Sequence, residues 1–400
     1  MEMVKKSRLA LITNPGSSSR KYALYRGSRF VASLHFEIIE KKVECTLKDA
    51  DGKRCAVDIE LKTLEQAVGH IHDILVDAKF LGANEEVDIV IVRVAAPGDY
   101  FAEDHLVDEE YLEQLEAAKE KAPLHVPNAL KEIAHFRQSF KKSKLVSVSD
   151  SAFHAGKPKL AMYYPFDMEL ADKYGIKRYG YHGLSVASVI EYMEKNEILA
   201  EKVIVCHIGS GSSVSAVYRG KSMDNSMGYS PLEGVMMATR SGSMDVAAAL
   251  AIKRNLGLTD DELEKYLNKE AGLLGVSGLS ADMRDVEVAR DKNDERSSFA
   301  LALYVHRIQA LIGQMAAALN GMDALVFTAT VGERAGNERA AIMKKLTYLG
   351  VEEDLERNKV NLPAGHALVS TDDSVPVYAI KTDEFGQMVK QANMLVDGLE

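Results

Sequence analysis

A chain of 400 residues with 46% hydrophobic content can bury a large core, and its length favours two domains over one. Its formal net charge of -10 excludes the basic footprint expected of a nucleic-acid-binding protein. The three cysteines, Cys45, Cys55 and Cys206, have neither metal-ligand spacing nor the even count of a disulfide framework, which points to a reducing, cytoplasmic setting.

In chain order, Leu9 to Thr13 is a short apolar run interrupted by Asn14-Pro-Gly. It reads as a buried strand rather than a signal peptide, and no stretch approaches the length that spans a bilayer. A Gly/Ser turn and a second, alternating strand follow, closed by Tyr25-Arg-Gly27 as a hairpin turn. Strands near 30–38 and 43–48, a helix near 62–80, the almost continuous apolar strand Val87 to Val94 and a charged helix near 107–121 come next. That succession predicts an α/β fold.

The opening pattern then recurs. Gly16-Ser-Ser-Ser-Arg-Lys-Tyr-Ala-Leu-Tyr-Arg-Gly27 lies over Gly209-Ser-Gly-Ser-Ser-Val-Ser-Ala-Val-Tyr-Arg-Gly220 at a constant offset, each copy preceded by an apolar strand. This predicts a duplicated domain. In the second copy, Thr259-Asp-Asp-Glu262 is a capping box opening a helix, a long apolar-striped helix runs from about Ser297 to Leu319, and the strand Ala324 to Thr328 follows. No Pro/Ser-rich linker separates the halves, so the repeat alone sets a boundary near Asp150.

Two strand–turn–strand units of this kind offer backbone N–H groups and hydroxyls suited to clasping a polyphosphate, whereas one Gly-rich hairpin alone is usually only a turn. Neither the G-x-x-x-x-G-K-[ST] loop nor a G-x-G-x-x-G after a strand is present.

Motifs along nearly the whole chain carry a family resemblance. They are Asn14-Pro-Gly-Ser-Ser-Ser-Arg-Lys21, Ala122-Pro-Leu-His125, Asp150-Ser-Ala-Phe-His154, Tyr174-Gly-Ile-Lys-Arg-Tyr-Gly-Tyr-His-Gly183 and Met227-Gly-Tyr-Ser-Pro-Leu-Glu-Gly234. Thr239-Arg-Ser-Gly242, Gly272-Leu-Leu-Gly-Val-Ser-Gly278, Asp282-Met-Arg-Asp285, Val331-Gly-Glu333, Ser370-Thr-Asp-Asp-Ser374 and Thr382-Asp-Glu384 continue the series. In order and number these resemble the acetate kinases, part of the wider sugar kinase, Hsp70 and actin superfamily. The resemblance implies two duplicated ribonuclease H-like βββαβαβα domains, residues 1–150 with 386–400 and residues 151–385, with the active cleft between them. It also implies reversible phosphoryl transfer from ATP to acetate, giving acetyl phosphate and ADP. Mg2+ (or Mn2+) would serve as the metal, and the protein would be a cytoplasmic homodimer with no nucleic-acid or membrane partner.

By the same resemblance, Arg93 and Arg240 would hold the carboxylate and the transferring phosphoryl group, which suits planar guanidinium forks. His182 and His125 would donate to that group, and Asp150 would orient an arginine. Asn14 and Glu384 would hold the magnesium, as hard oxygen ligands. Ser17, Ser19, Lys21, His207, Gly209, Ser210, Gly211, Asp282, Arg284, Val331, Gly332 and Glu333 match phosphate and nucleotide positions. Ala95, Leu124, Tyr181 and Pro231 match the acyl pocket. Each residue also has a plainer use: Arg93 as a strand-end group reaching solvent, Asp150, His125 and His182 as caps or satisfied core groups, Glu384 as a helix-start acid. Arg93 does lie where open α/β sheets place their ligand sites.

Some positions depart from the family pattern. Val92-Arg-Val-Ala-Ala-Pro-Gly98 stands for the usual His-Arg-Val-Val-His-Gly-Gly, so Ala95 replaces a valine, and Tyr181 replaces a phenylalanine. Gly209-Ser-Gly-Ser-Ser213 stands for Gly-Asn-Gly-Ala-Ser, and Thr330-Val-Gly-Glu-Arg334 for Gly-Ile-Gly-Glu-Asn, placing a branched side chain where backbone would approach adenosine. A propionate or butyrate kinase, a kinase with another phosphoryl donor, and a nucleotide-binding homologue without turnover remain open alternatives.

Overall fold

The computed structural model describes residues 7–15, 19–39, 42–119, 126–360 and 365–399. Ser17, Leu124 and His125 lie outside these residues, as does the side chain of Asn14. The chain divides into two compact units, Met1–Ala152 with Glu384–Glu400, and Phe153–Asp383. Glu384 and the residues after it therefore belong with the first unit.

The first unit is built on β1 (Leu9–Pro15), β2 (Ser19–Arg26), β3 (Arg29–Ile39), β4 (Lys42–Asp49), β5 (Arg54–Val57), β6 (Ile89–Val94), β7 (His105–Leu106) and β8 (Lys144–Ser149). They form one sheet in the order β5-β4-β3-β2-β1-β6-β8-β7. The strands from β1 to β5 pair antiparallel, while β1, β6 and β8 run parallel. Parallel strands are covered on both faces, and β6 shows why its sequence is unbroken: Ile89, Val90, Ile91 and Val92 are all buried. The helix Val126–Ser139 covers the sheet through Ile133 and Phe136. It also inserts the buried carboxylate of Glu132, which accepts from Thr13 Oγ1 at 3.0 Å and Tyr22 Oη at 2.9 Å and pairs with Arg20. A second helix, Glu384–Asp397, packs on β1, β6 and β8 and buries Met388, Val389, Ala392 and Val396, a stripe of helical period.

The second unit contains β9 (Lys202–Ile208), β10 (Ser212–Tyr218), β11 (Lys221–Asn225), β12 (Ala324–Thr328), β13 (His366–Leu368) and β14 (Val377–Ile380), in the order β11-β10-β9-β12-β14-β13. Its connectivity repeats that of the first: β9, β10 and β11 pair antiparallel as β1, β2 and β3 do, then β12 and β14 lie parallel to β9 as β6 and β8 do to β1. The long helix Glu295–Leu319 buries Ile308, Ile312, Met315 and Leu319 and is capped by Asp294, which accepts from the Ser297 N–H at 2.6 Å.

Most of the elements read from the sequence are present, with physical differences at their ends. The expected helix near 62–80 is two pieces, a 3-10 turn Leu64–His70 and an α-helix Ile71–Asp77, changing over beside Gly69, a poor helix former. The charged helix near 107–121 is Glu109–Ala117, started by Asp108, whose side chain accepts from the Tyr111 N–H. The Thr259/Glu262 capping box forms as read.

Candidate active site

In the first unit, the site grows from the carboxyl end of β6. Buried on both sides up to Val92, the strand ends in Arg93 and Val94, and the parallel register sets Arg93 beside Val148 of β8. Asp150 lies just past β8, tied to β6 by its N–H to the Val94 carbonyl at 3.0 Å. Arg93 Nη2 is 2.9 Å from Asp150 Oδ1 and Nη1 is 3.3 Å from Glu384 Oε2, Glu384 being the first residue of its helix. Burial alone would lower the Arg93 pKa, but the Asp150 and Glu384 charges outweigh it and hold the guanidinium above its ordinary value. Asp150 is 2% exposed, so this is a nearly buried charge pair with a fixed partner. Ala95 follows β6 and is half-buried, while Ser19 and Lys21 sit on β2, Lys21 exposed.

In the second unit, the hairpin between β9 and β10 is Gly209-Ser-Gly211, closed by the Gly209 N–H to the Gly211 carbonyl at 3.0 Å. Gly211 has a role that needs the missing side chain: a Cβ there would stand 3.3 Å from His182 Nε2 and 3.4 Å from Arg240 Nη1. The turn, His182 and Arg240 are thus one cluster. His182 precedes the helix Gly183–Lys195 with φ 60, ψ 23, a left-handed backbone that a non-glycine residue adopts at a cost on the order of 1 kcal/mol. Its ring stacks on His207, and its Nδ1 shares a 3.0 Å hydrogen bond with Ser213 Oγ. His207 Nδ1 lies 2.8 Å from Ser185 Oγ, which accepts from Thr382 Oγ1 at 2.9 Å. The Thr382 N–H in turn donates to Glu333 Oε1 at 3.0 Å, so Glu333 is joined to the histidine pair through two hydroxyls.

Arg240 donates from Nη1 to the Pro231 carbonyl at 3.5 Å and meets Met237 Sδ at 3.4 Å. Ser210 is tied to the same neighbourhood by its carbonyl, which accepts from the Ala238 N–H. Tyr181 is buried, and its hydroxyl donates to the Tyr229 carbonyl at 2.8 Å.

Asp282 and Arg284 stand apart from the histidine cluster. Asp282 caps the helix Met283–Asp291 by accepting from the Arg284 N–H, and its carboxylate pairs with the Arg284 guanidinium, which holds its pKa below the usual range. Val331 and Gly332 lie in the short helix Ala329–Arg334, entered through Ala329 at φ 65. Thr330, whose branched side chain the sequence put against the nucleotide, is exposed and outside the left-handed region, so it needs no glycine.

Ser185, Ser213 and Thr382 were missed in the sequence. Ser213 and Thr382 lie inside quoted motifs and Ser185 two residues beyond one, but a serine or threonine is too common to stand out unless its partner is known.

The carboxylates around Arg93 suit a hard divalent cation of the magnesium type, which takes one or two carboxylates and leaves its other positions to water and phosphate oxygens. Among the described residues no group of three or more His, Cys, Asp or Glu side chains could hold a metal alone.

The acetokinase family model matches residues 9–390. An acetate kinase of Clostridium botulinum (strain 657 / Type Ba4) is 37% identical over 382 residues, which cover 94% of this chain and 96% of that protein. The acetate kinase of Thermoanaerobacter pseudethanolicus is 37% identical over 400 residues, 98% of this chain and 99% of that one. Among solved structures, a propionate kinase from Francisella tularensis superposes with a TM-score of 0.87 at 32% identity, covering 96% of this chain and 98% of its own. The acetate kinase of Porphyromonas gingivalis does so with a TM-score of 0.84 at 30% identity, covering 98% and 100%. With a family match over nearly its whole length, and with relatives and a shared fold spanning both units, the chain belongs to the acetokinase family, whose acetate kinases are phosphotransferases with a carboxylate acceptor.

Proposed function

We propose that the protein transfers the γ-phosphoryl group of ATP reversibly to acetate, giving acetyl phosphate and ADP, with magnesium as the metal. The observation that carries this reading is Arg93, a guanidinium held by Asp150 and Glu384 at the end of β6, in a chain similar to named acetate kinases.

The chemistry explains why these residue types are wanted. Acetate is ionised at neutral pH, so its oxygen attacks phosphorus without a base: an O–P bond forms, the bond to the bridging oxygen of ADP breaks, and no proton moves. The obstacle is charge, since an anion must approach an anion. Arg93 is assigned to the carboxylate, with Asp150 fixing its orientation. Arg240 and His182 are assigned to the equatorial oxygens of the transferring group, beside the Gly209–Gly211 turn whose N–H groups suit phosphate. His125, Ser17, Ser19, Lys21 and His207 are proposed to share that task. Asp282, Arg284, Val331, Gly332 and Glu333 are assigned to the nucleotide, and Ala95, Leu124, Tyr181 and Pro231 to the acyl group. Glu384 and Asn14 would hold magnesium, which when bound neutralises phosphate charge.

Propionate is a second acceptor supported by a particular observation, the TM-score of 0.87 with a propionate kinase. Ala95 in place of valine gives more room, although one methylene is worth only about 1–3 kcal/mol of discrimination. The helix Val246–Leu256 buries none of its residues and exposes Val246, Leu250 and Leu256, which supports the homodimer expected of the family. The free cysteines support a reducing, cytoplasmic setting.

The test is acyl-phosphate formation, trapped as the hydroxamate, with acetate, propionate and butyrate against ATP, GTP and pyrophosphate, each with magnesium. Product with acetate and ATP above the other pairings supports the reading. No product from folded, nucleotide-binding protein overturns it in favour of binding without turnover.

A further inference from the structure

The segment from Tyr229 to Glu233 belongs to no helix or strand, yet side chains hold polar groups of Tyr229, Pro231 and Glu233 along it. The Tyr229 N–H donates to Tyr164 Oη at 2.9 Å, and its carbonyl accepts from Tyr181 Oη at 2.8 Å. The Pro231 carbonyl accepts from Arg240. Glu233 takes the Tyr164 hydroxyl on Oε2 and the Arg178 guanidinium on Oε1. Arg178 also donates to the Asn225 carbonyl at 2.9 Å and stands over the Tyr164 ring, 5.8 Å from its centroid.

Tyr164 is the hinge of this network because its hydroxyl uses both capacities, donating to Glu233 while accepting from Tyr229. Removing that one oxygen would leave a carboxylate oxygen and a backbone N–H each short of a partner. Gly228 confirms how closely the parts fit. Its carbonyl accepts from the N–H groups of Tyr179 and Gly180, and a Cβ on it would overlap the Glu233 carboxylate and Tyr164 Oη. Loops tied only by side-chain bonds are as accurate as those bonds, and networks of this kind stiffen cooperatively.

We propose that Tyr164, Arg178 and Glu233 are positioning residues that hold the Tyr229–Pro231 strip against Tyr181 and Arg240, and thereby set the aim of Arg240 and the length of acyl chain accepted. The inference rests on the assignment of Arg240 to the phosphoryl group and of Tyr181 to the acyl group. None of the three residues is assigned to substrate. Each acts through the strip.

The experiment uses Tyr164→Phe, which keeps the ring, Gly228→Ala, which presses on the same network from the other side, and Glu233→Gln, which keeps the shape and loses the charge. Rates are measured with acetate and with propionate, together with the ATP dependence and thermal unfolding. In each variant kcat with acetate should fall roughly tenfold, since small misplacements of a charge-bearing group are costly, while KM for ATP stays within about twofold. The ratio of kcat/KM for acetate to that for propionate should move by about threefold or more. A purely structural role would lower the melting temperature and leave that ratio alone; wild-type kcat and ratio in folded Tyr164→Phe and Gly228→Ala would overturn the proposal. Absence of turnover by the wild type with any of the acids would instead bring down the functional assignment, and the proposal with it.

Discussion

The imidazole of His182 stacks on that of His207 with centroids 4.0 Å apart and planes 24° apart, while the two Nδ1 atoms reach different serines, Ser213 and Ser185. Each ring is thus turned by its own hydroxyl, which leaves Nε2 of His182 beside Gly211. His182→Asn should keep the fold, because asparagine tolerates the left-handed backbone, and should lower kcat on the order of 10²-fold. Unfolding curves beside hydroxamate rates check both halves; an unimpaired rate would remove His182 from the transferring group.

Arg93→Ala and Arg240→Ala should each lower kcat by about 10²–10³-fold, the loss found when one preorganised donor is taken from developing charge. Circular dichroism should show native secondary structure. Near wild-type turnover in either would sink that residue's role.

Asp150→Ala leaves Arg93 with Glu384 as its remaining carboxylate in the pair. Breaking a buried ion pair from one side costs about 3–5 kcal/mol, so denaturant unfolding should shift by that order as activity falls. Asp150→Asn, which keeps an oxygen for the guanidinium, should lose less stability. Equal stability in all three proteins would mean that the pair is solvated and idle.

Glu384→Ala should raise the magnesium concentration needed for half-maximal rate. A magnesium titration that superposes on the wild type would remove Glu384 from the metal's surroundings.

On the helix Gly336–Met343, which follows the segment carrying Val331, Gly332 and Glu333, burial together with the neighbouring Glu287 pushes the Glu338 carboxyl up to about 8 from 4.5. The native state therefore binds the proton more tightly than the unfolded chain. That contribution to stability is complete below about pH 4.5 and is lost as the pH rises towards about 8. The melting temperature should accordingly fall across this window, and Glu338→Gln should flatten the fall. Parallel profiles would show that Glu338 is ionised throughout.

Features that depend on near neighbours were legible in the sequence. The end of β6 was visible because an unbroken apolar run stops at a charge, the β9–β10 turn because it repeats an earlier one, and the Thr259 cap because its partner is three residues on. Groups whose meaning depends on distant partners were not. Arg93 and Glu384 are 291 positions apart, and nothing local in either announces the other except through family likeness. Glu132 follows a lysine in a mixed helix and reads as a surface acid; only the packing of that helix on β1 and β2 turns it into the buried acceptor for Thr13, Tyr22 and Arg20. Tyr164, in an aromatic loop, gave no sign that both lone pair and proton are spoken for.

The docking of helix Glu384–Asp397 on β1, β6 and β8 has a consequence for synthesis. A ribosome completes all of Phe153–Asp383 before it makes the helix that covers the first sheet. At about 5–20 residues per second, that face of the sheet stays bare for on the order of tens of seconds. The second unit can close while the first still waits, so the unit begun first is the one completed last.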